Sequence, residues 1–203
     1  MWLIGMMESL EQKLINVLAS CDFKNKKEPF LYFVACLNSF LERHGIGRLI
    51  IVGGYAVELY SGGAYKTGDV DVIVEGDVDF VKSVLSKLSG KRGGRIWVLR
   101  EIGLISKAID IVSSLYDKEK NPVRVEVEDF TVYIEPPEET IISCLNACIY
   151  WKSDLDCEKA AMVMAAQWDR IDWSYLRARS EKENVAEILE KIKTIVGELR
   201  ERG

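Results

Sequence analysis

Two aspartates, Asp69 and Asp71, stand two residues apart at the head of the apolar run 70–74. Read as a β-strand, that spacing puts both carboxylates on one face, while Val70 and Val72 turn towards a core. Like charges side by side repel unless something positive compensates them. For an all-oxygen pair the natural compensation is a hard divalent cation, Mg²⁺ or Mn²⁺. A further carboxylate, Asp110, lies inside the apolar run 108–112. An ionised group is costly there without a partner, which makes Asp110 the best candidate for a third metal ligand. Glu126 and Glu128 alternate with Val125 and Val127, the pattern of an ordinary solvent-facing strand edge.

Upstream of the aspartates, Gly53 and Gly54 separate the apolar run 49–52 from the helix-spaced Ala56, Val57, Leu59 and Tyr60. Strand, glycine pair, helix is an arrangement in which missing side chains let phosphate oxygens approach backbone N–H groups at a positive helix terminus. A bare turn is the competing reading of a glycine pair. Followed by paired carboxylates, the order suits transfer of a nucleotidyl group, which needs donors around the phosphates and carboxylates holding metal between attacking and leaving oxygens.

The elements that must carry these residues follow from periodicity. Residues 10–18 and 30–41 repeat apolar positions at three- and four-residue spacing and predict two helices, the second ended by Gly45 and Gly47. Residues 78–88 predict another helix, closed by a loop over 90–94. Residues 49–52, 70–74, 95–99, 108–112, 123–127 and 130–134 are short runs rich in β-branched and aromatic residues and predict strands. Such mixed order implies a small α/β (α+β) sheet with flanking helices. Pro136 and Pro137 mark a change of character, since residues 138–201 are helix-periodic with no further strand. The expected division is therefore an α/β domain with N-terminal helices over 1–135 and a C-terminal helical region over 136–203. The charged run 177–182 reads as a solvated linker between helices.

With 203 residues, 48% hydrophobic and 29% charged, the chain has ordinary globular composition and can bury about 70% of its unfolded surface. A net charge of −5 argues against a surface that grips a nucleic-acid backbone everywhere. No apolar stretch approaches a membrane span or a signal-peptide core, so a soluble, cytoplasmic protein is expected, with no membrane partner. Cys21, Cys36, Cys144, Cys148 and Cys157 form an odd set without a CxxC pair and read as reduced core thiols rather than disulfides or metal ligands.

Other residues admit plainer readings. His44 precedes Gly45 at a helix end, where a capping role is expected. Trp151, Trp168 and Trp173 could stack a base, but their helical spacing favours core packing. Lys82, Lys87, Lys91, Arg92 and Arg95 surround the 90–94 loop and read as a solvated basic cluster, with steering of a polyphosphate or RNA as the alternative.

The run IIVGGYAVELYSGGAYKTGDVDVIV resembles the nucleotidyltransferase superfamily pattern of apolar strand, GG, helix and D-x-D strand, and KAIDIVSS resembles the strand bearing its third carboxylate. Minimal nucleotidyltransferases, including the abortive-infection type toxins, are similar. Their T-x-D-h-D signature corresponds to Thr67, Asp69, Val70 and Asp71, and their helical C-terminal part to YIEPPEETIISCLNACIYWKSDLDCEKAAMV. The resemblance covers residues 45–165. It implies a nucleotidyltransferase-type fold and transfer of NMP from an NTP to an acceptor hydroxyl with Mg²⁺ or Mn²⁺. Asp69, Asp71 and Asp110 would serve as catalytic metal ligands, and Gly53, Gly54, Lys66 and Thr67 would bind the nucleotide. The acceptor implied is an RNA, a protein or a small molecule, and an antitoxin partner is a further implication. Three departures bear on this: Tyr65 with Lys66 stands where relatives often carry Arg, the loop at 61–64 is extended, and Cys144 replaces a frequent Lys. Those at Tyr65 and Cys144 support the alternative of a catalytically impaired nucleotide-binding regulator.

Overall fold

The computed structural model describes residues 9–89 and 95–202. Along the chain the elements are α1 (Leu10–Ser20), α2 (Pro29–Arg43), β1 (Gly47–Val52), α3 (Gly53–Tyr60), β2 (Asp69–Gly76), α4 (Val78–Ser89), β3 (Ile96–Leu99), β4 (Leu104–Ser113), β5 (Val123–Val127), β6 (Phe130–Ile134), α5 (Pro137–Tyr150), α6 (Asp154–Gln167), α7 (Trp173–Lys182) and α8 (Ala186–Arg202). The six strands form one mixed sheet in the order β3-β4-β2-β1-β6-β5. β3 and β4 run antiparallel, with Ile96 opposite Asp110. None of the described helices is long and apolar enough to cross a membrane.

The chain forms two compact units. One comprises Met1–Ile50, Val72–Tyr116 and Arg124–Tyr133, the other Ile51–Asp71, Asp117–Val123 and Ile134–Gly203. In the first, the amphipathic faces of α1, α2 and α4 bury Leu14, Leu18, Phe33, Leu37, Val84 and Leu85, together with Trp97 of β3. Ser9 caps α1 by accepting a hydrogen bond from the Gln12 N–H at 3.1 Å, the usual way to satisfy an orphan donor of a first turn. His44 ends α2 as expected: its Nδ1 lies 2.8 Å from the Phe40 carbonyl and its ring stacks on Phe40. Glu126 and Glu128 are exposed, and Glu128 pairs with Lys26 at 2.6 Å.

In the second unit, the helices α5 to α8 and Val57 of α3 share a core of Ile141, Leu145, Val163, Met164, Leu176 and Leu189. Three expectations are corrected here. Residues 177–182 are not a linker but the body of α7. One of their charges is buried: Arg179 pairs with Glu183 at 2.8 Å and with Glu139, while Arg177 remains exposed and pairs at the surface with Glu190 at 3.0 Å. Cys148 and Cys157 are joined in a disulfide, because the short turn after α5 folds α6 back and brings their Cα atoms to 5.0 Å, within bridging range. Only Cys21, Cys36 and Cys144 are free thiols. Trp151 is 81% exposed, since α5 ends at Tyr150 and the helical period no longer turns it inward. Trp168 and Trp173 do pack edge to face, 4.7 Å apart, against the core.

Candidate active site

β1 leads straight into α3 at the glycine pair, and the conformation there is one only glycine adopts without strain. Gly53 has φ +60°, and a Cβ on it would collide with Asp71 Oδ2. A Cβ on Gly54 would meet Thr67 Oγ1 at 3.0 Å. The bareness of the glycines lets the segment around Thr67, Asp69 and Asp71 pack directly on the start of α3.

The threonine is the pivot of that segment. Its hydroxyl donates to Asp69 Oδ1 at 2.7 Å and its N–H donates to Glu58 Oε2 at 2.9 Å. Glu58 is buried in α3 and also takes the ammonium of Lys66 on Oε1 at 3.1 Å. Lys66 is thus the counter-ion of Glu58 and sits under Gly63, where a Cβ would meet its Nζ at 3.1 Å. Sequence reasoning missed Glu58 altogether. The signal was present, since YAVELY places one carboxylate in an otherwise apolar helix, the same oddity that singled out Asp110.

Gly53, Gly54, Thr67, Asp69 and Asp71 are brought together in one unit. Val70 and Val72 are buried while Asp69 and Asp71 are half-buried, the alternation expected from their spacing. Asp110 belongs to the other unit, is 3% exposed, and is gripped at two points by Arg95, whose Nε and Nη2 donate to its two carboxylate oxygens at 2.7 Å each. The β3–β4 register explains this, because Arg95 immediately precedes the residue opposite Asp110. Among the described residues, no group of three or more His, Cys, Asp or Glu side chains is arranged to hold a metal ion. Of the basic cluster, Lys91 and Arg92 fall outside the described residues, Lys87 pairs with Glu11 at 2.8 Å, and Arg95 serves Asp110.

Asp69 and Asp71 fit a hard cation on chemical grounds. Both offer carboxylate oxygens from one strand face, Thr67 orients one of them, and Mg²⁺ is commonly held by one or two carboxylates together with substrate phosphates.

Beside the glycine pair lies a cavity of about 120 Å³ whose walls include Glu135, Thr140, Ser143, Cys144, Asp156 and Lys159. Glu135 is buried and accepts from the Thr140 hydroxyl at 3.2 Å. Burial pushes its carboxyl up to about 7, outweighing the pull of Lys118 and of the Thr140 hydrogen bond. Burial also drives the Cys144 thiol up to about 12, so it stays neutral and unreactive. Lys159 pairs with Asp156 at 2.8 Å. Burial works against both charges, but their mutual hydrogen bond prevails: the Asp156 carboxyl falls below its ordinary value and the Lys159 ammonium rises above its own.

Comparison with curated proteins gave no match. Among solved structures the chain is similar to an antigenic nucleotidyltransferase-like protein from Paracoccidioides brasiliensis, at 15% identity and TM-score 0.48 over 73% of this chain and 76% of that one. It is also similar to the antibiotic-resistance factor ANT(2'')-Ia, at 16% identity and TM-score 0.40 over 80% of this chain and 92% of that one. A family model described as nucleotidyltransferase of unknown function (DUF6036) matches residues 30–196, a span that takes in the glycine pair, the paired aspartates and the cavity, and the chain belongs to that nucleotidyltransferase family.

Proposed function

We propose that this protein transfers a nucleoside monophosphate from an NTP to an acceptor hydroxyl, with Asp69 and Asp71 holding Mg²⁺ or Mn²⁺. The observation that carries the reading is the direct packing of Gly53 and Gly54 on Asp71 and Thr67. That contact sets backbone donors for phosphate beside carboxylates for metal, an arrangement a bare turn has no need of. In the reaction, the acceptor oxygen forms a bond to the α-phosphorus, the bond from that phosphorus to the bridging oxygen breaks, and pyrophosphate leaves. A bound divalent cation supplies electrostatic stabilisation of the charge on the transferring group. The residues of the chain do the positioning: the start of α3 faces the phosphates, Thr67 fixes the Asp69 carboxylate, and Glu58 fixes Thr67. The acceptor hydroxyl gives up its proton to solvent water as its bond forms, and Asp110, closed by Arg95, takes no part in this step.

The test uses NTPs labelled at the α-phosphate, with Mg²⁺ or Mn²⁺, against total RNA, protein extract and small hydroxyl compounds. The wild type is expected to label one of these classes. Asp69→Asn with Asp71→Asn is expected to lose at least about a thousandfold in rate, because the amide keeps the shape but not the charge. NTP and metal binding without label in any class would replace this reading with a second, that of a nucleotide-binding regulator. The closure of Asp110 by Arg95 is the observation that favours the second reading.

A further inference from the structure

We propose that the cation meeting the NTP's phosphates at the glycine pair is Lys159 of α6, and not Lys66. The inference rests on the nucleotidyl-transfer reading and names the residue that would grip the phosphates there.

Lys66 is committed elsewhere. Its ammonium is held by the buried carboxylate of Glu58, whose other oxygen ties down the Thr67 N–H, so removing Lys66 from this pair would strip a buried carboxylate of its counter-ion. Lys159, by contrast, is the one cation among the described residues lining the cavity that Gly53 and Gly54 help to form. Its side chain is only 15% exposed. A lysine three residues after an aspartate on a helix ordinarily sits in solvent, where the pair contributes little. Here both partners are drawn into the wall of a polar cavity instead.

The ammonium is held from two sides. Asp156 accepts one of its three N–H donors at 2.8 Å, and the Tyr65 ring lies 4.8 Å from the nitrogen, a cation–π distance. Tyr65 is itself the neighbour of the glycine pair, its ring carbon 3.7 Å from where a Gly54 Cβ would be. One ring thus lies beside both Gly54 and the cation. Around them, Ser143 contributes a hydroxyl, while that of Thr140 is donated to Glu135. An ammonium, the start of α3 and a hydroxyl lining one cavity form the donor set of a phosphate oxygen, to which charge-assisted hydrogen bonds are the strong contribution. Asp156 neutralises Lys159 until the anion arrives and keeps it aimed at the cavity afterwards. Glu135, whose carboxyl burial raises to about 7, is protonated below that pH and there adds no charge against the anion.

The experiment is an equilibrium titration of the full chain with each of the four NTPs in Mg²⁺, with inorganic tripolyphosphate as competitor, on wild type, Lys159→Met and Lys159→Arg. Lys159→Met is expected to weaken NTP binding at least about tenfold, while Lys159→Arg stays within about threefold of wild type. Since Lys159→Met exposes Asp156 as a half-buried charge and could unfold, a second measurement uses the wild type alone. Tripolyphosphate should slow chemical acylation of Lys159, read by mass spectrometry, and leave Lys66 unchanged. Wild-type-like affinity in Lys159→Met, or protection of Lys66 in place of Lys159, overturns the assignment. A wild type that binds no NTP overturns the nucleotidyl-transfer reading and this inference with it, an outcome distinguishable because it appears before any variant is made.

Discussion

The carboxylates of β2 and β4 make an instructive pair. Asp69 and Asp110 are both aspartates on strands rich in valine and isoleucine, and both stand out as carboxylates among apolar residues. On β2, Asp69 stays half-buried and its nearest polar neighbour is a neutral hydroxyl, that of Thr67. On β4, Asp110 is buried and closed at two points by Arg95. What the neighbouring chain supplies decides whether a strand carboxylate is available for a cation or already has one. A hydroxyl orients a negative charge without cancelling it, whereas a bidentate guanidinium cancels it.

Short of neutralising Asp69 and Asp71 themselves, the largest effect should come from spoiling the open site without touching a charge. Gly53→Ala must place a Cβ where Asp71 Oδ2 lies and must hold φ +60°. Displacing a group positioned for the reaction by about 1 Å costs on the order of a hundredfold, so transfer should fall at least that far in a protein that still unfolds cooperatively. Retention of wild-type rate would mean that the contact between the glycine and Asp71 has no part in catalysis.

Glu135 offers a third kind of carboxyl, buried with a hydroxyl partner and with Lys118 on one side against Glu139 and Asp117 on the other. Burial raises it to about 7 in the folded chain, above the value of about 4.3 in an unfolded one. The folded state therefore binds more protons between those values, so its contribution to stability is fully present below about pH 4.3 and is lost as pH rises through about 7. The loss amounts to up to about 4 kcal/mol. Denaturant unfolding across pH 4 to 8 checks this: Glu135→Gln should lack that falling segment. An identical slope in the variant would show that Glu135 is ionised throughout.

The smallest effect concerns the closed site. Arg95→Met leaves Asp110 buried without its partner, which should destabilise the protein. Because the arginine side chain is itself 67% exposed, solvent screening reduces the cost to about 1–2 kcal/mol. NTP affinity should not change. A gain in metal or NTP binding instead would show that Arg95 masks a functional third carboxylate, sharpening the contrast into a switch between open and closed states of Asp110.

Much of this molecule was legible before folding. The six strands and the helices fell close to where periodicity put them, because a buried face imposes a period of 2 or 3.6 whatever it packs against. The pairing of Asp69 with Asp71 on one face is likewise local geometry, as is the glycine pair between strand and helix. Where local patterns misled, a distant partner was responsible. The charged stretch of α7 read as a solvated linker because nothing nearby reveals that Glu139, forty residues earlier, lies against Arg179. The cysteines read as reduced because Cys148 and Cys157 become neighbours only when α6 folds back along α5.

The sequence by itself determined the strand, glycine pair and D-x-D order and the core faces, all of which are properties of residue type and short spacing. Tertiary structure alone decided which charges are cancelled. It gave Lys66 to Glu58, Arg95 to Asp110 and Lys159 to the cavity. The reason is physical: a charge's availability depends on burial and on what lies within a few ångströms, and those neighbours come from segments that sequence spacing does not relate.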